Sequence, residues 1–134
     1  MAEYIASVSG NWSNAATWGG SGPPGDGDTV TINNGVTVTV AANTTVTVGN
    51  AADLATMAIR TAGTAGTGIL AIGSGATLNL KSHVQQGNAG WTVAAGATIE
   101  FANTGLTWQI SDGHNQANAE LVMTGTANAG DTPT

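Results

Sequence analysis

Val30-Thr31-Ile32-Asn33-Asn34-Gly35-Val36-Thr37-Val38-Thr39-Val40 is the stretch on which the fold turns. Two apolar-x-apolar runs flank a small turn, and Thr follows the turn centre by two residues. The same phrase returns at 38–48, 70–80 and 91–101, with Asn43, Gly75 and Gly96 standing where the first copy has Gly35. Gly and Asn are the residue types that most readily accept a positive φ angle, so each phrase predicts two short strands joined by a bend. Alternation decides against helix. Val30, Ile32, Val36, Val38, Val40, Val46 and Val48 all keep even numbering, which leaves one apolar face and one Thr face.

A flat antiparallel hairpin has the same alternation, so the spacing between copies must separate the architectures. Gly75 and Gly96 lie 21 residues apart and Gly35 and Gly75 lie 40, about two such steps. Asn43, soon after Gly35, then reads as the next corner of the same coil. A period of roughly 20 suits one coil of two or three short strands. The expected fold is therefore all-β, a short right-handed parallel β-solenoid (β-helix), the hand following the rule for parallel crossovers. Further strands are expected at 57–59, 106–110 and 121–124, with a helical turn or loop at 50–58 and a connection at 61–68. An N-terminal Trp-containing cap spans 1–28 and the coils span 29–124. A tail at 125–134, lacking any large apolar anchor, is expected to be flexible or ordered by a partner.

Composition narrows the class. The chain has 134 residues, enough for one modest core. Only 7% are charged, against roughly 25% in an ordinary globular domain. Two basic and eight acidic residues give a net charge of −6, and Arg60 and Lys81 are the only fixed cations. Binding to nucleic acid is excluded on this reading, because phosphate must be neutralised by clustered Lys and Arg. An anionic membrane surface would repel the chain as well. There is no Cys, so neither disulfides nor thiolate metal sites hold the fold. Residues 1–5 lack the basic and apolar runs of a secretory leader, which predicts synthesis in a cytoplasm. The triplets beginning at Asn11 and Asn43 are then accidental rather than glycosylated.

The N-terminal stretch Gly10-Asn11-Trp12-Ser13-Asn14-Ala15-Ala16-Thr17-Trp18-Gly19-Gly20, followed by Pro23-Pro24-Gly25-Asp26-Gly27-Asp28-Thr29-Val30-Thr31-Ile32, resembles the opening of G8-like domains. Those domains share a Trp-x-x-x-x-Thr-Trp phrase, a Pro/Gly loop, an Asp and strands of the Val-Thr-Ile type, and lead into right-handed β-helices. The likeness covers about 40 residues closely. It implies the architecture more than the function, since such openings occur in surface proteins, polysaccharide-acting enzymes and phage structural proteins. The missing leader and the short chain, taken as complete, favour the last of these.

Each chemically suggestive residue also has a plain structural reading. Trp12 and Trp18 could stack on sugars, but covering the exposed end of a solenoid core is the expected role. Trp91 and Trp108 fall in strands, as core or interface residues. Asp26 and Asp28 lack the further oxygens of a cation loop and are expected to brace a turn, as is Asp112 with His114. His83 and His114, far apart and without Cys, make a zinc site improbable. The carboxylates are scattered along the chain and only two basic residues could assist a lyase. No catalytic, cofactor or metal residues are therefore expected. The pairs Thr29/Thr31, Thr37/Thr39 and Thr45/Thr47 suggest an ice-binding ladder, but Ala71, Asn79, Thr92 and Glu100 interrupt it.

These readings converge on a non-enzymatic virion structural protein of a bacteriophage, expected to decorate or cement the outer capsid surface. Its expected partners are the major capsid protein and copies of itself, as a homo-oligomer such as a homotrimer. A tail-fibre or spike module is the runner-up, and a carbohydrate-binding module with exposed Trp12, Trp18 or Trp91 is the alternative from another class.

Overall fold

The computed structural model describes residues 2–53, 57–61, 67–86, 91–102, 108–110, 121–123 and 126–127, the last three stretches and Gln86 through their backbone alone. The chain is all-β, and its sheets are parallel. Sheet one contains β1 (Glu3–Ala6), β3 (Thr29–Ile32), β6 (Ile59–Thr61), β9 (Val84–Gln86) and β12 (Trp108–Ile110), in that order. Sheet two contains β2 (Gly10–Asn11), β4 (Thr37–Val40), β7 (Ile69–Ile72), β10 (Trp91–Val93) and β13 (Leu121–Met123). Sheet three contains β5 (Thr45–Val48), β8 (Thr77–Leu80), β11 (Thr98–Phe101) and β14 (Thr126–Ala127).

Strands adjacent in sequence lie in different sheets. The chain visits sheets one, two and three in turn with β3, β4 and β5, then repeats the sequence with β6, β7 and β8. The corners allow it: φ is +74° at Gly35, +61° at Asn43, +72° at Gly75 and +82° at Gly96. A residue there can reverse the local path without the steric penalty that Cβ imposes on most side chains.

Inward side chains form columns across successive passes. Val46, Leu78 and Ile99 share one register position, and Val48, Leu80 and Phe101 the next. In sheet one Val30 lies opposite Ile59, which lies opposite Val84. Together with Val38, Val40, Leu70, Ile72, Trp91 and Val93 these residues make one continuous buried cluster. Burying alternate Val, Ile and Leu between three sheets removes about 25 cal/mol of unfavourable hydration per Å² of apolar surface.

Two expectations need correction. First, the four copies are not one column. Residues 38–48, 70–80 and 91–101 stack on one another, but residues 30–40 turn a different corner. Gly35 and Gly75 are therefore not two steps apart in one stack. Gly35 N instead receives Thr67 Oγ1 as its acceptor, 3.0 Å away and 32 residues on. The step is 21 residues from Ser74 to Ala95, where Ser74 Oγ donates to the Ala95 carbonyl, because the longer connections at 50–58 and 61–68 belong to the preceding pass. Second, Thr29 and Thr31, expected like the other paired Thr to be solvated or packed between subunits, are buried within the chain. β3 is an inner strand, and in register Thr31 sits between the longer Ile5 and Arg60. The N-terminal segment supplies strands of its own, β1 pairing with β3 and β2 with β4.

Smaller differences have local causes. A 3-10 turn at Ala15–Trp18 was not expected; Asn14 caps it by accepting from Ala16 N, and Gly19 closes it at φ +76°. At 50–53 the chain makes an Asn-led turn, with Ala52 N donating to Asn50 Oδ1. The strand expected at 57–59 begins at Ile59, and of that expected at 106–110 the described part is Trp108–Ile110. Thr126–Ala127, placed in the tail by the sequence, pair with β11; residues 128–134 lie outside the described residues.

Candidate functional site

The N-terminal loop is held by indole and carboxylate hydrogen bonds. Trp12 and Trp18 pack edge to face, with centroids 5.1 Å apart, and Tyr4 meets Trp18 at 6.4 Å. Trp12 Nε1 donates to the Pro24 carbonyl and Trp18 Nε1 to the Trp12 carbonyl. The exposures of Trp12, Trp18 and Trp91 are 3%, 5% and 1%. None of these three presents a ring face on which a pyranose could stack. Trp108 has its backbone in β12, beside β9, and its side chain lies outside the described residues.

Asp28 ties the loop to the chain start, accepting from Ala2 N through Oδ1 and from Gly25 N through Oδ2, both at 2.9 Å. Asp28→Ala should lower unfolding stability by about 1–2 kcal/mol, because two charge-assisted hydrogen bonds are exchanged for water. Asp28→Asn keeps one acceptor and should lose about half as much on the same scale; urea titration of both variants checks the order. Asp26 instead pairs with Lys81 at 2.9 Å. Its carboxylate is 64% exposed, so Lys81→Ala should change the urea midpoint by an amount equivalent to less than about 1 kcal/mol, shrinking further in salt.

Among the described residues no three His, Cys, Asp or Glu side chains converge on a point that could hold a metal ion. Glu3, Asp26, Asp53 and Glu100 lie on separate elements, and Asp112, His114, Glu120 and Asp131 fall outside the described residues. The His83 carbonyl accepts from Ala58 N, bracing the turn into β6. No helix among the described residues is long and apolar enough to cross a membrane.

A groove of about 380 Å³ runs along β5, lined by Trp12, Ser13, Pro24 and Asp26 and, on β5, by Thr45, Val46 and Thr47. The sequence reading missed it because its lining comes from two stretches, 11–26 and 41–47, that only the sheet order brings together. This lining has hydroxyls, amides and main-chain groups, so it can hold a ligand by hydrogen bonding and apolar contact. It contains no nucleophile paired with a base.

Fold and groove together define a small all-β protein of stacked parallel strands. Searched against protein-family models, curated proteins and solved structures, the chain finds no match in any of the three.

Proposed function

We propose that the three parallel sheets form the coils of a short right-handed β-solenoid, and that this chain is a non-enzymatic structural protein on a bacteriophage particle, cementing or decorating the outer face of the capsid. The order of strands in each sheet and the shared buried cluster support the solenoid reading. The G8-like opening is in keeping with it.

The observation that carries the functional reading is the outward face of sheet three. Thr45, Thr77 and Thr98 occupy one register column there, and Thr47, Asn79 and Glu100 the next. Adjacent strands are spaced by about 4.8 Å, so these short side chains make a closely ribbed, sparsely charged surface. Burying it against another protein freezes little side-chain entropy, whereas each long charged side chain would cost up to about 2 kcal/mol. Such a face suits many weak contacts at the joints of a shell. Burial of Trp12, Trp18 and Trp91 favours this reading over a carbohydrate-binding module.

The proposed partners are the major capsid protein and copies of the chain, as a homotrimer. Particles of the phage encoding the chain should carry it in fixed ratio to the major capsid protein, and antibody against it should label heads. Its absence from particles, or label confined to tails, overturns the proposal. Sedimentation equilibrium tests the trimer directly, since the subunit is 13.1 kDa; a monomer at all concentrations refutes it.

A further inference from the structure

We infer that the free edge of β5, in the groove that Trp12, Pro24 and Asp26 also line, is a docking site for an extended peptide of another protein, which adds there as one more strand of sheet three. This goes beyond the capsid reading and does not depend on it.

The phase of the ladder shows which groups the groove offers. Thr77 N donates to the Thr44 carbonyl at 2.8 Å and Lys81 N to the Val48 carbonyl at 2.9 Å. In a parallel ladder alternate residues address the same neighbour, so the main-chain groups of Val46 and Val48 face β8. Those of Thr45 and Thr47 face the other way, into the groove. In the first two sheets the equivalent edges are covered, since β1 lies on β3 and β2 on β4.

On sheet three the chain closes only the end after β5, where Gly27 N donates to the Gly49 carbonyl and Gly49 N to the Asp28 carbonyl. Before that closure the edge stays open over Thr45 to Thr47, enough for a segment of about three residues at about 3.3 Å each.

The spacing selects the ligand. N–H and C=O groups repeating every second residue match the main chain of a strand, the mode by which extended peptides augment sheet edges. Side-chain alternation sets the sequence class. A residue in register with Val46 points to the core side, beside Trp12, where Val46 keeps 9% exposure, the highest value in the buried cluster. That position takes a β-branched apolar side chain. Its neighbours align with Thr45 and Thr47, so small uncharged residues fit there.

The probe is an N-acetylated, C-amidated peptide, Lys-Thr-Val-Thr-Val-Thr, added to the whole chain and followed by amide exchange in NMR spectra. The Thr45 and Thr47 amides should exchange about tenfold more slowly at saturation, because each gains an acceptor. The same peptide N-methylated on the residues that face β5 should bind at least about tenfold more weakly, having lost those donors. Four results overturn the inference: no binding at millimolar peptide, equal binding of the methylated peptide, the same protection from a soluble oligosaccharide, or protection without peptide that rises with protein concentration. The last would assign the groove to a second copy of the chain.

Discussion

Trp91→Ala should remove about 3–5 kcal/mol of unfolding free energy, the usual loss when a buried Trp is truncated to Ala. The side chain is 1% exposed and stands at the start of β10, with β7 on one side and β13 on the other. Its Nε1 donates to the Gly68 carbonyl at 3.1 Å, so the substitution opens a cavity and also strips a buried acceptor of its donor. Small domains have about 5–15 kcal/mol in total, so the variant should lie near the edge of folding. Trp91→Phe separates the two effects. It keeps most of the volume and should lose about 1–3 kcal/mol, the penalty for an unsatisfied buried group. Urea midpoints of both variants give the comparison. A loss below about 1 kcal/mol for the Ala variant would mean that the indole is not packed between passes.

Gly49→Ala should be a strongly damaging addition of a single methyl group, because it combines a positive φ with backbone crowding. Gly49 has φ +105°, and a Cβ built there would stand 2.7 Å from Ser82 Oγ, 2.8 Å from Ser82 N and 2.9 Å from Ala58 Cβ. The backbone cannot rotate to relieve this, because Gly49 N and O are both engaged with the 27–28 segment. Left-handed strain of about 1–2 kcal/mol adds to overpacking of about 1–3 kcal/mol. Gly35→Ala is the control. Gly35 has a similar sign of φ, +74°, with no atom within 4 Å of the added Cβ, so it should lose only the strain, about 1–2 kcal/mol. Thermal unfolding of the two variants side by side reads the difference. Equal losses would show that close approach of Gly49 to Ser82 contributes nothing.

Both substitutions probe contacts between passes, and those contacts mark where the sequence stopped being informative. Val30, Ile32, Val36, Val38, Val40, Val46 and Val48 are buried, and the turn centres Gly35, Asn43, Gly75 and Gly96 all have positive φ. Period-two burial and left-handed turns are local properties, set within a few residues by Cβ sterics and by side-chain alternation. They are written in any strand of this kind. The burial of Thr29 and Thr31 was not legible, because a Thr next to Val looks the same on an edge strand as on an inner one. Nor was the true stacking partner of Gly35, since the intervening connections vary in length and shift the register without changing the repeated phrase.

Alone, the sequence determined that short strands alternate with left-handed corners, that one face of each strand is apolar, and that charge is sparse, with Arg60 and Lys81 the only fixed cationic side chains. Tertiary structure decided which corners stack, that β1 and β2 extend two sheets while the third keeps an open edge at β5, and that the indoles of Trp12 and Trp18 turn inward. The reason is physical: alternation and turn preference act over neighbours in the chain, whereas register and edge coverage depend on residues some 20 to 30 positions away, joined mainly through main-chain hydrogen bonds whose groups nearly every residue carries.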